Sequence, residues 1–388
     1  MSRSQVVLPA LTGLLLCACV TINAQCAAPR DDEQSLVDLG RALFFDRNLS
    51  LHRSQSCATC HDPAHGFVDS RDNGVSGAVS LGSDGRARGD RNAPSAAYAA
   101  LVPPFARDTE GNYVGGLFHD GRARDLAEQA GQPILNPLEM QMPDATAVVA
   151  RVRENPGYVA AFKARYGAHL FDDEQAAFDA LREALAAFER TPLFVAFDSR
   201  YDRYLRGEVK LTADEEQGRT LFFSTLTNCV SCHLLKSTSL GQHETFTNYH
   251  YFNIGVPANP TVRRVNGQPA GYIDGGLRDN LAVKDDAQSG KFRVPSLRNV
   301  AVTAPYMHNG VFKDLYTAIF FYNQHLVKNA QNAVNPETGQ RWDPPEVPTT
   351  VDRDKLTQGQ PLDEERIALI IAFLKTLTDQ RLEPLLKK

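Results

Sequence analysis

The feature that most constrains this chain is the pattern C-x-x-C-H, which occurs twice. Its two copies are Cys57, Cys60 and His61, and Cys229, Cys232 and His233. The pattern is typical of c-type haem attachment, because two thiols at this spacing add to the vinyl groups of one haem while the adjacent histidine ligates the iron. One copy alone could be a chance match, a thioredoxin-like dithiol or half of a zinc site. Two copies, with no other cysteine after residue 28, predict two covalently attached c-type haems with His61 and His233 as the proximal iron ligands.

The N-terminal residues predict export from the cytoplasm. Arg3 precedes a mostly apolar run over residues 6–20, and small residues follow around Cys26. This order is typical of a signal peptide, here residues 1–28, and predicts a periplasmic protein in an oxidising compartment. A lipoprotein signal with a lipid anchor at Cys19, or a retained anchor helix, are the alternatives. The run is shorter than the roughly 20 apolar residues of a membrane span, and no other segment is apolar enough to predict one.

Composition and an internal repeat predict a mainly α fold. The chain has 388 residues, of which 43% are hydrophobic and 22% charged, as in a soluble globular protein with room for two domains. A net charge of −5 argues against strong nucleic-acid binding. Residues 39–45, before the first motif, are similar to residues 217–223, before the second. We therefore predict two cytochrome c-like domains, residues 29–200 and 201–388, each wrapped around one covalently bound haem.

Each half is expected to contain a helix before its haem motif and a second helix at its end. A capping box beginning at Thr212 opens the helix before the second motif. Acidic residues precede apolar-periodic stretches at 176–190 and 367–378, where we expect the closing helices. The loops 69–92 and 253–276 have no helical period, so they either wrap the haem edges or carry function.

Several short stretches resemble the bacterial dihaem cytochrome c peroxidase and MauG superfamily. Besides the haem motifs, the resemblance rests on residues 39–45, 91–94, 120–123, 132–140, 294–300 and 303–306. It covers the chain from about residue 34 to residue 380. The resemblance implies that the two haems face the domain interface and that the haem of the N-terminal domain reacts with hydrogen peroxide.

The sixth ligand of the second haem distinguishes the branches of this superfamily. It is a methionine in the peroxidases and a tyrosine in MauG-like enzymes, and the matching position here is Tyr322. The four methionines of the chain lie at other positions. The resemblance therefore implies the MauG-like branch, in which a phenolate favours higher iron oxidation states than a thioether does. The alternative is that Tyr322 is a buried aromatic residue and that His325, on the same predicted helix, is the ligand.

The face of the first haem opposite His61 is expected to be open to peroxide. Residues 66–118 contain no histidine that could occupy it. The catalytic carboxylate of the family matches Glu139, while Gln129 and Pro133 match other positions of the distal pocket. A carboxylate there would take a proton from peroxide and return it to the leaving oxygen. The alternative is that Glu139 is a solvated loop residue.

Two positions depart from the family pattern. The family generally has tryptophan between the haems where this chain has His119, and MauG has another tryptophan where this chain has Thr227. Because imidazole is harder to oxidise than indole, His119 either relays electrons by another path or is a packed histidine without a redox part. The resemblance further implies one calcium ion between the haem domains, bound by the Asn92 side chain and the carbonyls of Thr303 and Pro305.

These features predict a periplasmic MauG-like dihaem enzyme. With hydrogen peroxide it would form a high-valent, bis-ferryl-type state that oxidises a tryptophan or tyrosine of a partner protein docked near the second haem. The missing tryptophans favour a partner like the copper-associated one of the MbnH branch over methylamine dehydrogenase. The alternatives are a cytochrome c peroxidase that takes electrons from a small cytochrome c, and a dihaem electron carrier without catalytic activity.

Overall fold

The structure, a computed structural model, describes residues 31–235, 243–326 and 331–387. The predicted signal peptide, and Cys19 with it, lies outside the described residues. Within the described ranges, no helix combines the length and the apolar character that crossing a membrane requires. The secondary structure is mainly helical, as the sequence predicts, and long loops connect the helices.

Thirteen α-helices and four two-residue strands make up the regular structure of the described part of the chain. The helices are α1 (Asp31–Phe44), α2 (Cys57–Cys60), α3 (Leu126–Leu135), α4 (Ala145–Arg153), α5 (Pro156–Tyr166), α6 (Glu174–Glu189), α7 (Arg200–Leu205), α8 (Ala213–Phe222), α9 (Pro260–Arg263), α10 (Leu315–Phe320), α11 (Asn323–Leu326), α12 (Arg353–Leu356) and α13 (Glu364–Lys375). The strands are β1 (Ala106–Arg107), β2 (Tyr113–Val114), β3 (Tyr251–Phe252) and β4 (Phe292–Arg293). They pair antiparallel as β1–β2 and β3–β4, with Ala106 opposite Val114 and Tyr251 opposite Arg293.

The first hydrophobic core forms where α1 crosses α6. Helix α1 contributes Leu36, Leu39 and Leu43 to this core. All three are buried, and their spacing places them on one face of the helix. Helix α6 begins after Asp173, whose carboxylate accepts hydrogen bonds from two amides of the first turn. The helices approach so closely that a β-carbon on Gly40 would lie 1.9 Å from the carbonyl oxygen of Ala184. Glycine is therefore required at this crossing.

The second core repeats this arrangement with α8 and α13. The Thr212 hydroxyl accepts from the amide of Glu215, and the Glu215 carboxylate accepts from the amide of Thr212, which confirms the predicted capping box. A β-carbon on Gly218 would lie 1.9 Å from the carbonyl oxygen of Leu369. The internal repeat of the sequence thus corresponds to one helix crossing that is built twice, once before each haem motif.

The predicted helix around Tyr322 is interrupted in the structure. Helix α10 ends at Phe320 and α11 begins at Asn323, so Tyr322 lies in the turn between them. The Asn323 side chain binds both backbone groups of Leu362, at 2.7 and 2.9 Å. These two bonds anchor the turn to the segment that leads into α13.

An ion-pair cluster connects the two long loops. Arg91 donates one hydrogen bond to Asp120 at 2.6 Å and two to Asp274 at 2.7 and 2.6 Å. Asp120 is 3% exposed and Asp274 is 2% exposed, so the charges of the cluster compensate one another inside the protein. Asp274 belongs to the loop 253–276, which also contains the single helical turn α9 that the sequence does not predict.

Candidate functional site

One continuous cavity of about 570 Å³ is lined by both haem motifs. Its walls include the site residues of the main sequence prediction: Cys57, Cys60, His61, Asn92, His119, Gln129, Pro133, Glu139, Cys229, Cys232, His233, Thr303, Pro305 and Tyr322. The volume is in the range of ligand and cofactor sites. The fold therefore brings together residues that are far apart in the sequence.

The two motif histidines have the same hydrogen bond. Nδ1 of His61 lies 3.1 Å from the carbonyl oxygen of Phe67, and Nδ1 of His233 lies 2.8 Å from that of Phe246. Because a carbonyl oxygen can only accept, Nδ1 carries the proton and Nε2 presents a lone pair. Burial lowers the pKa of both imidazoles, to about 4 for His233. A neutral imidazole with a fixed tautomer is the form that ligates iron.

The remaining wall of the cavity also fits haem. None of the four motif cysteines forms a disulfide, so all four are available for haem attachment. Arg293 lies on the wall, and its guanidinium is 3.4 Å from the carbonyl oxygen of Phe118. Burial lowers the pKa of Arg293. Within the part of the chain that the structure describes, no carboxylate lies within ion-pair distance to compensate this buried charge. A haem carries two propionate groups, and such a carboxylate would compensate this buried cation.

Glu139 lines the cavity just after α3, which carries Gln129 and Pro133 on the same wall. Asn136 Nδ2 donates to Glu139 Oε1 at 2.9 Å. Burial raises the pKa of the Glu139 carboxyl, and the charge of Arg122 partly opposes this. A carboxyl with a raised pKa, held in place by an amide, is suited to proton transfer near neutral pH. This placement does not support the alternative of a solvated loop residue.

Tyr322 lies next to the second haem motif. Burial raises the pKa of its phenol, and the neighbouring motif thiols raise it further. Tyr322 is 38% accessible and lines the cavity. His325, the alternative ligand, is not part of the cavity wall, and its Nε2 lies 3.1 Å from the carbonyl oxygen of Ile254. Met307 also lines the cavity, so a thioether is present as well as the phenol.

His119 is accompanied by a second histidine, His308, that no sequence motif indicates. His119 Nε2 lies 3.0 Å from the carbonyl oxygen of Asn92, and burial lowers the His119 pKa to about 4. His308 stacks on Phe292 with 3.6 Å between the ring centroids. Its Nε2 is buried and has no hydrogen-bond partner among the described residues. No ligand motif surrounds His308 in the sequence, and only the fold brings it near His119.

All three expected calcium ligands line the cavity, and two of them, Asn92 and Pro305, lie near Gly77. Asn92 Nδ2 donates to the carbonyl oxygen of Ala78 at 3.1 Å, which leaves its Oδ1 available. A β-carbon on Gly77 would lie 3.7 Å from Pro305 Cδ, and the Gly77 carbonyl oxygen lies 3.4 Å from Asn92 Nδ2. Over the described ranges, no group of three acidic, histidine or cysteine side chains could hold a metal ion. A calcium ion here would depend on neutral oxygens and water, which suit a hard cation.

Glu189 is a further cavity residue that the sequence could have indicated. It ends α6 and is 7% exposed. Burial raises the pKa of the Cys57 thiol, and the negative charge of an ionised Glu189 raises it further. Burial raises the pKa of Glu189 to about 8. In the sequence it directly follows Phe188 and lies four residues after Leu185, both buried. A glutamate on the apolar face of a helix is therefore the signal that points to it.

Comparison with known proteins identifies the family. Residues 34–210 match the family model described as di-haem cytochrome c peroxidase. The chain is 52% identical over 366 residues to the methylamine utilization protein MauG of Paracoccus denitrificans, which covers 94% of both proteins. This chain belongs to the dihaem cytochrome c peroxidase and MauG family.

Other members of the family agree with this assignment. The cytochrome c551 peroxidase of Pseudomonas aeruginosa is 32% identical over 284 residues, which cover 73% of this chain and 70% of that protein. The crystal structure of the diheme peroxidase BthA from Burkholderia thailandensis has a TM-score of 0.80 and 33% identity, and covers 92% of this chain and 88% of that one. The predictions of a mainly α dihaem fold and of two c-type haems are thereby confirmed.

Proposed function

We propose that this MauG-like dihaem enzyme works in the periplasm and uses hydrogen peroxide to oxidise a tryptophan or tyrosine of a partner protein. The observation that carries the proposal is the Tyr322 phenol on the cavity wall beside the second haem motif. The similarity to MauG of Paracoccus denitrificans, over 94% of both proteins, supports the same branch. In this proposal residues 29–200 hold the peroxide-reactive haem and residues 201–388 hold the Tyr-ligated one.

The first site is organised for proton transfer. Cys57 and Cys60 would tether the haem, and His61 would ligate its iron through Nε2. Bound haem supplies the redox chemistry with peroxide. Glu139 takes a proton from peroxide held in the cavity and returns it to the leaving oxygen, because its raised pKa lets it act in both directions. Asn136 keeps the carboxyl in position for both transfers.

The second site is organised to retain oxidising equivalents. Cys229, Cys232 and His233 would hold this haem, and Tyr322 would supply an oxygen ligand, giving up its phenol proton on binding iron. An anionic oxygen donor stabilises higher oxidation states, whereas a thioether favours the reduced iron. Tyr322 would therefore let the second site store oxidising equivalents, and the partner protein would dock on the surface closest to it.

A calcium ion and His119 would lie between the two haem sites. The ligands of a calcium ion here would be Asn92 Oδ1 and the carbonyl oxygens of Thr303 and Pro305, with water. The Asn92 carbonyl oxygen accepts the Nε2 proton of His119, so the same residue orients both the ion and the imidazole. His119 is neutral, since burial lowers its pKa to about 4, and it adds no charge between the haems.

The test compares Tyr322→Phe with Met307→Leu in the diferric protein mixed with peroxide. We expect a long-lived oxidised state with a near-infrared charge-resonance band in the unchanged protein and in Met307→Leu. The band should be absent in Tyr322→Phe, which keeps the ring but removes the ligand oxygen.

Other outcomes support other functions. A band that survives in Tyr322→Phe and disappears in Met307→Leu would identify the thioether as the ligand. Fast turnover with a reduced small cytochrome c would then support a cytochrome c peroxidase, the activity named for the relative from Pseudomonas aeruginosa. No spectral response to peroxide at all would support an electron carrier.

A further inference from the structure

Tyr98 and Asp379 form a buried pair that the proposed function does not use. The Tyr98 hydroxyl donates to Asp379 Oδ1 at 2.5 Å. Tyr98 is 2% exposed and Asp379 is 0% exposed, so water does not compete for this bond. The distance is typical of a strong hydrogen bond from a hydroxyl to an ionised carboxylate. The pair also joins the two halves of the chain, since 281 positions separate its members.

The carboxylate of this pair is fixed in place. Asn299 Nδ2 donates to Asp379 Oδ2 at 2.9 Å, and the Asp379 amide donates to Asn299 Oδ1 at 2.8 Å. Burial raises the pKa of Asp379, which makes it a better proton acceptor than an exposed aspartate. Asp379 is therefore a base that is held within reach of one phenol.

Tyr98 borders the haem cavity. Its hydroxyl also accepts a hydrogen bond from the amide of Phe197 at 3.1 Å, which would hold the oxygen in place after its own proton has left.

A phenol loses an electron far more readily when its proton can pass at the same time to a base. The geometry of Tyr98 meets this condition. Tyr306, on the same cavity wall, does not, because its hydroxyl donates to the carbonyl oxygen of Val300 at 3.0 Å.

We propose that Tyr98 is a redox-active residue that gives one electron to the oxidised haem pair while Asp379 accepts its proton. The O–H bond of Tyr98 breaks, the proton forms a bond with Asp379 Oδ1, and the electron reduces the haem pair by one equivalent. The products are a neutral tyrosyl radical and a protonated Asp379. An electron from the partner protein, together with the proton from Asp379, restores the phenol. The oxidant is hydrogen peroxide, so this inference rests on the proposed function.

Electron paramagnetic resonance of the dihaem protein, frozen after addition of peroxide, tests the proposal. We expect an organic radical signal that is lost in Tyr98→Phe, which keeps the ring and removes only the hydroxyl. Asp379→Asn, which removes the proton acceptor, should also diminish the signal. Tyr201→Phe is the matched control, because Tyr201 is 1% exposed and its hydroxyl interacts with Arg219 instead of a carboxylate. It should leave the signal unchanged.

The haem absorbance of the same samples separates this inference from the proposed function. Oxidised haems without an organic radical, or a radical that survives in Tyr98→Phe, would overturn the role of Tyr98 and leave the proposed function intact. A full signal in Asp379→Asn would overturn the role of Asp379 as proton acceptor. Haems that do not respond to peroxide would overturn both proposals.

Discussion

Replacing Gly40 with alanine tests the helix crossing that precedes the first haem motif. The new β-carbon would lie 1.9 Å from the carbonyl oxygen of Ala184 and 2.6 Å from its carbonyl carbon. Both atoms belong to backbone and cannot rotate away, so α1 and α6 must separate by about 1.5 Å to reach normal contact. Overpacking of this kind costs about 3 kcal/mol at the upper end of its usual range. Alanine recovers about 1 kcal/mol of helix propensity, which leaves a net loss of about 2 kcal/mol.

Thermal unfolding of the dihaem protein, followed by circular dichroism, measures this loss. A destabilisation of that size should lower Tm by about 4–8 °C. Gly218→Ala should have a similar effect, because its β-carbon would lie 1.9 Å from the carbonyl oxygen of Leu369. Gly89→Ala is the control, since nothing lies within 4 Å of its new β-carbon. If Gly40→Ala unfolds at the temperature of the control, α1 and α6 are not in close contact at position 40.

Two carboxyl groups of the cavity give further predictions. Glu139→Gln should slow the reaction with peroxide by roughly 10²–10⁴-fold in stopped-flow absorbance, because the amide cannot carry the proton, whereas the exposed Glu110→Gln should react at the normal rate. A normal rate in Glu139→Gln would exclude it as the proton carrier. Glu189 has a pKa raised by burial from 4.5 to about 8, so between these values the unfolded chain releases a proton that the folded protein keeps. As the pH rises between these values, the free energy of unfolding should therefore fall by about 1.4 kcal/mol per pH unit relative to that of Glu189→Gln. A difference between the two proteins in urea unfolding that does not change with pH would contradict this.

The sequence predicts those parts of the molecule that local chemistry determines. The spacing of Cys57, Cys60 and His61 follows from the dimensions of one haem edge, so the cofactor is evident without a structure. The crossing of α1 with α6 leaves a local trace because only glycine at position 40 tolerates it. The same residue type recurs at position 218 in the second copy of the repeat.

Other features depend on contacts between distant segments, and no local pattern records them. The hydrogen bond from Tyr98 to Asp379 spans 281 positions, and neither residue lies in a motif. The stacking of His308 on Phe292 depends on two loops that meet at the cavity. The sequence predicts a helix through Tyr322, but the structure has a turn there. The bonds of Asn323 to Leu362, which anchor this turn, join segments 39 positions apart.

The two haem sites share their scaffold, so their chemical difference must come from the face opposite each motif histidine. Both histidines bind a backbone carbonyl through Nδ1, at 3.1 and 2.8 Å, and each motif follows the same type of glycine-mediated crossing. Because the hydrogen bond and the helix crossing are the same at both sites, neither can explain why one haem would react with peroxide and the other would store oxidising equivalents. In the proposed function the segment after α3 would supply Glu139 to the first haem, and the turn between α10 and α11 would supply Tyr322 to the second; both residues line the cavity. Neither segment belongs to the repeated sequence, so substitutions there can change the chemistry of one haem without altering the fold that holds both.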